Sequence, residues 1–93
     1  MAHVAGWEVL QESASSGDEV AAFELAMCHA SGSGGLSVDL IQAHRWFNVA
    51  AALGYRPALS WRAEIAGEMA PRQVAEAQRL ARATLGCGVA KAA

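Results

Sequence analysis

The first 44 residues contain no Lys or Arg, and no apolar run in the chain approaches the length of a membrane span. A transmembrane helix needs ~20 consecutive apolar residues. The longest apolar runs here are only about as long as the five residues 49–53. A secretory signal begins with a basic segment followed by an apolar one, and the N-terminal stretch has neither. We therefore expect a cytoplasmic protein with no membrane partner.

Cysteine is also scarce, since Cys28 and Cys87 are the only two thiols in the 93 residues. Disulfide frameworks belong to secreted chains with closely spaced cysteines. Two distant cysteines without a redox motif predict reduced thiols. Cys28 is expected to be a small buried apolar residue, and Cys87 to lie in a flexible C-terminal tail.

Charge is distributed unevenly along the chain. The net charge is −2 overall, but it is −6 before Arg45 and +4 from Arg45 onward. Such asymmetry favours oriented association with a partner, or head-to-tail contact between copies, over uniform nucleic-acid binding. Ordinary surface charge is the alternative interpretation.

No segment alternates polar and apolar residues like a strand, and the apolar periodicity indicates helices throughout. Glycine, proline and Asp18 mark the ends of these helices. The sequence predicts five helices in a single domain over 1–85, with a flexible tail over 86–93. The predicted spans are about 4–15, 19–30, 39–53, 57–67 and 71–85.

The strongest break in the chain is the segment Ser31-Gly32-Ser33-Gly34-Gly35. Glycine-rich loops can bind phosphate through their backbone amides. However, no Lys-Ser or Lys-Thr pair follows this loop and no strand is predicted before it. We therefore interpret it as the turn of a helical hairpin.

The hairpin around this turn carries an ordered set of small and aromatic residues. These positions are Leu25, Ala26, Gly32, Gly34, Asp39, Ala43, Trp46, Ala50, Ala51, Gly54 and Ala58. Their order and spacing resemble the Sel-one-like repeat, a relative of the tetratricopeptide repeat. The hairpin departs from the pattern of that family in three ways: Ala26 stands where it has Gly, His29 where it has Tyr, and the turn has one extra residue between Gly34 and Asp39.

The resemblance implies a short α-solenoid of antiparallel helical hairpins with its central repeat over 21–58. The first and fourth helices are then degenerate half-repeats, with Val9 at a Trp position and Arg62 at a Leu position. A single hairpin cannot bury its own apolar face. We expect that face to be covered by the fifth helix, a second copy or a larger partner.

Three histidines raise the question of metal or catalytic chemistry. His3 is close to the N-terminus, His29 stands at the family's Tyr position, and Cys28 beside it points to a different face. His44 lies about 200° from Trp46 around the helix, which predicts an exposed side chain. These residues form no metal, catalytic or cofactor pattern, so no enzyme activity, metal or cofactor is expected.

The predicted function is a non-enzymatic protein–protein interaction module, because families of this kind act as adaptors in bacterial assemblies. The candidate contact residues are His29, Arg45, Asn48, Trp61 and Arg62. For Trp61, core packing is the favoured alternative to an exposed anchor. The partner is a protein of unknown identity, and a homodimer is possible in this interpretation.

Two other functions compete with this one. A small accessory subunit that stabilises a larger enzyme or assembly would need a continuous apolar face. Nucleic-acid binding through Arg72, Arg79 and Arg82 is a weaker prediction, because Glu76 lies between them and the chain is acidic overall.

Overall fold

A computed structural model describes residues 6–86, and these fold into five α-helices with no strand among them. The helices are α1 (Gly6–Ser15), α2 (Glu19–Ser31), α3 (Leu40–Ala52), α4 (Pro57–Ala66) and α5 (Pro71–Thr84). The predicted all-α fold is confirmed, and the predicted spans agree with the helices to within a few residues. His3, Cys87 and residues 87–93 of the predicted tail lie outside the described residues.

An aspartate side chain caps the N-terminus of each helix in the central hairpin. Asp18 Oδ1 accepts hydrogen bonds of 3.0 Å from the backbone N–H groups of Val20 and Ala21 at the start of α2. Asp39 Oδ1 accepts one of 3.1 Å from Gln42 at the start of α3. These contacts satisfy amides that have no partner inside a helix. The acidic residues singled out in the sequence therefore position both helices.

Glycine allows the chain to reverse between α2 and α3. Gly32 has φ +75° and its N–H donates to the carbonyl of Cys28 at 2.8 Å, which closes the last turn of α2. Gly34 has φ +66°, and a Cβ there would lie 3.1 Å from Cys28 Sγ. Residues with a side chain rarely adopt this conformation, so the predicted hairpin turn depends on both glycines.

The helices are organised around α3, which packs against α2, α4 and α5, while α1 packs against α2. α4 and α5 make few contacts with each other within the described range. In a regular solenoid of hairpins these two helices would pair along their length. The solenoid arrangement therefore stays a prediction, whereas the α2–α3 hairpin is present.

Alanine dominates the core. Nine of the fourteen buried apolar residues in the described range are alanines. The largest fully buried side chains are Trp46, Phe47, Leu25 and Val49, and three of these four belong to α3. Small side chains let the helices approach closely, and the few large ones on α3 fill the space that remains.

None of the helices between Gly6 and Thr84 combines the length and the apolar character needed to cross a membrane.

We predict that enlarging a core alanine destabilises the protein far more than the same change on the outer side of α3. Ala43 is fully buried and Ala52 is exposed on the same helix. Ala43→Leu should lower the free energy of unfolding by about 1–3 kcal/mol through overpacking. Ala52→Leu should change it by less than about 0.5 kcal/mol. Urea unfolding followed by circular dichroism measures both, and equal effects would contradict the packing described here.

Candidate functional site

Four of the six aromatic residues form one continuous row, which we call the aromatic row: Phe23, Phe47, Tyr55 and Trp61. The ring of Phe23 on α2 lies 4.9 Å from that of Tyr55 and 5.6 Å from that of Phe47, both centroid to centroid. Phe47 on α3 in turn stacks on Trp61 of α4 at 6.2 Å, with 13° between the ring planes. The row thus joins three helices.

Trp61 lies at the outer end of the aromatic row. Trp61 is 42% exposed, although Phe47, on whose ring it stacks, is fully buried. The favoured sequence prediction, core packing of Trp61, is therefore wrong for the outer part of the side chain. The reason is that α4 makes its larger helix contact with α3 alone, so among residues 6–86 no further helix covers its outer side.

Arg62 follows Trp61 on α4 and is held by a different residue of α3. Its Nη1 donates to Asn48 Oδ1 at 2.6 Å, in a part-buried contact. Side chains of arginine have many rotamers, and a hydrogen bond of this kind limits them. Trp61 and Arg62 therefore form an adjacent pair whose orientations are both set by α3.

Arg45 lies on another side of α3 and joins it to α5. Its Nε and Nη2 donate to Thr84 Oγ1 at 3.1 and 2.8 Å, and its Nη1 donates to Gln42 Oε1 at 2.9 Å. The guanidinium carbon also lies 4.7 Å from the centroid of the Trp46 ring, a favourable cation–π distance. Burial lowers the pKa of Arg45 from its usual value. These contacts engage Arg45 in holding the fold.

His29 and His44 are both buried. His29 is 8% exposed, and neither of its ring nitrogens has a hydrogen-bond partner in the part of the chain that the structure describes. His44 is 2% exposed, so the predicted exposure of His44 is wrong. The side of α3 that faces away from Trp46 is also covered, because α3 packs against α2, α4 and α5. Burial is the main cause that lowers the pKa of each histidine, and the charge of Arg62 adds to it for His44.

The structure therefore divides the five candidate contact residues. Asn48, Trp61 and Arg62 come together at the α3–α4 contact. Arg45 lies at the α3–α5 contact and His29 is buried in α2. Arg45 is only partly exposed and its guanidinium is engaged with Thr84 and Gln42, whereas His29 is buried. Their role as contact residues stays a prediction.

Two members of the aromatic row, Phe23 and Tyr55, were missed by the sequence reasoning. Aromatic residues are scarce in this chain, but scarcity does not indicate which of them lie together, so the sequence carried no signal for these two. The pairing of Arg45 with Thr84 spans 39 positions of sequence, and no local pattern indicates it.

A shallow groove of about 470 Å³ lies between the end of α1 and the start of α2. Its lining combines one apolar residue with acidic and small polar ones: Val9, Glu12, Ser13, Ser16, Gly17 and Asp18. Within residues 6–86 no three His, Cys, Asp or Glu side chains are arranged to hold a metal ion.

No protein-family model matches this chain, and no curated protein is significantly similar to it. The resemblance to the Sel-one-like repeat therefore stays a prediction.

We predict that the Thr84 hydroxyl is needed to hold α5 on α3. Thr84→Val removes the oxygen that accepts two hydrogen bonds from Arg45 and leaves part of a half-buried guanidinium without a partner. The free energy of unfolding should fall by about 1–3 kcal/mol. Thr84→Ser keeps the hydroxyl and should retain most of the stability in urea unfolding. A Thr84→Val variant that is as stable as the wild type, or less destabilised than Thr84→Ser, would contradict this role of the hydroxyl.

The buried histidines should make stability depend on pH. Because their pKa values are lowered in the folded state, the unfolded chain binds more protons below about pH 6.5. Stability is complete above that pH and decreases as the pH falls from there toward the lowered folded-state values, by at most about 1.4 kcal/mol per pH unit for each histidine. His44→Leu should flatten this decrease, measured by urea unfolding at about pH 7.5 and about pH 5.5. An unchanged slope in the variant would contradict the assignment.

Proposed function

We propose that this chain is a non-enzymatic protein–protein interaction module of the Sel-one-like kind, and that it binds its partner through the surface around Trp61. The observation that carries the proposal is an exposed Trp61 side chain stacked on a fully buried Phe47. A large apolar ring in water is unfavourable unless a partner covers it. Its rigid support means that binding would order little that is not already ordered.

The neighbourhood of Trp61 supports the same proposal. Arg62 is oriented by Asn48 at 2.6 Å, and Trp and Arg are the residues most enriched among those that dominate the energy of protein interfaces. The half-buried Phe23 extends the apolar surface across to α2, where Val20 is exposed one helical turn earlier. A partner with an apolar side chain flanked by hydrogen-bond acceptors fits this surface.

The accessory-subunit alternative is less well supported. The large exposed apolar residues of the described range are Val9, Val20, Val38, Leu59 and Trp61. They are distributed over α1, α2, the loop before α3, and α4. An obligate subunit would be expected to present one continuous apolar face.

Nucleic-acid binding through α5 has weaker support still. The guanidinium of Arg79 is already paired with Glu76, at 2.7 Å between Nη2 and Oε2. This pairing raises the pKa of Arg79 and lowers that of Glu76. A carboxylate at this position opposes the approach of a phosphate.

The proposal predicts that Trp61→Ala weakens partner binding at least about tenfold, the loss typical of a dominant interface residue. The test is quantitative affinity capture from extracts of the source cells, with wild type and variant compared by mass spectrometry. Circular dichroism first establishes that the variant is folded.

Val38→Ala is the matched control, since Val38 is exposed but lies outside the aromatic row. A protein depleted by Trp61→Ala and retained by Val38→Ala supports the proposal. The proposal is wrong if the two variants recover the same proteins in equal amounts. If Trp61→Ala instead reduced the recovery of enzyme subunits and the enzyme itself became less stable, the accessory-subunit alternative would be favoured.

A further inference from the structure

The outer face of α1 is acidic and carries one large apolar side chain. Glu8 and Glu12 lie four residues apart, which places them on the same side of the helix. Both are exposed, and Val9 beside them is 55% exposed. Val9 and Glu12 also line the groove that ends at Asp18. This surface, which we call the α1 face, has no basic residue of its own helix or of α2 to neutralise it.

The outer face of α5 has the opposite character. Arg72 and Arg79 lie two helical turns apart on one side, and Arg82 is one turn further. All three are exposed, as are Ala75 and Ala83 next to them. Arg79 is paired with Glu76, whereas neither Arg72 nor Arg82 pairs with a carboxylate among residues 6–86. We call this surface the α5 face.

The two faces are complementary in charge. The α1 face has two exposed carboxylates beside an exposed valine, and the α5 face has exposed guanidinium groups beside exposed alanines. Opposite charges at matching surfaces steer association and select the orientation of the partner. The whole chain shows the same asymmetry as the two faces. Its net charge is −6 before Arg45 and +4 from Arg45 onward.

We propose that a second copy of this chain docks its α5 face on the α1 face of the first, so that copies associate head to tail. Neither face includes a residue of the aromatic row. α1 packs on α2 and α5 packs on α3, which places the two faces on different helices of the core. A chain with two distinct complementary faces forms a heterologous contact, which repeats into rings or open arrays.

Such an interface between two short helix faces is small, so the association is weak and depends on concentration and salt. Contacts of this size belong to the transient class. Exposed charges are screened when the Debye length becomes short. The average mass in solution should therefore rise above 9.7 kDa with increasing concentration, and this rise should diminish as salt is added.

The test is light scattering on the purified full chain up to about 1 mM, at about 0.05 M and about 0.5 M salt. Glu12→Arg and Arg82→Glu should each raise the apparent dissociation constant roughly fivefold or more, because each replaces an attraction by a repulsion. The double variant, with both charges reversed, should recover much of the association. Circular dichroism establishes that each variant is folded.

Glu24→Arg and Arg56→Glu are the controls. They carry the same changes of charge at exposed positions outside the two faces, and they should leave the association unchanged. A chain that stays at 9.7 kDa throughout the series at low salt would overturn the proposal. So would an oligomer that responds to the control variants as strongly as to Glu12→Arg and Arg82→Glu, or a double variant that is weaker than both single ones.

Discussion

The fold depends on the close packing of alanine-rich helices around α3. Alanine buries little apolar surface per residue, so a core in which it predominates gains much of its stability from many short contacts between helices. Trp46 and Phe47 bury far more surface than an alanine does. They are the two largest fully buried side chains, and they are adjacent on α3. Because they point in directions about 100° apart, they fill spaces against different neighbours. This one helix therefore organises α2, α4 and α5 together.

The same packing creates the surface to which we assign function. Phe47 is part of the core, yet its ring supports the exposed Trp61 and contacts Phe23. Asn48, the next residue, orients Arg62. A surface held by core residues keeps its shape in the unbound protein, which reduces the conformational entropy lost on binding. Under the proposed function, two consecutive residues of α3 therefore contribute both to the core and to the binding surface.

The helices, their caps and the glycine turn were predictable because they depend on residues close together in the sequence. Asp39 and Gly32 act within a few residues of their own positions. The placement of α4 and α5 was not predictable, because it depends on contacts such as that of Arg45 with Thr84. The exposure of His44 was predicted wrongly for the same reason: a helix wheel shows one buried face, whereas α3 has neighbours on several. Asn48, Trp61 and Arg62 do come together at the α3–α4 contact, but the aromatic row that supports Trp61 emerges only from the tertiary structure.

The most direct test of this account is native-state hydrogen exchange, resolved by residue across the chain. If α3 organises the fold, its central amides, including those of Trp46 and Phe47, should exchange only through global unfolding and be the slowest of all. The amides of α1 and α4, which each pack mainly on one other helix, should exchange through smaller openings. Slower exchange in α1 or α4 than in α3 would contradict the central claim.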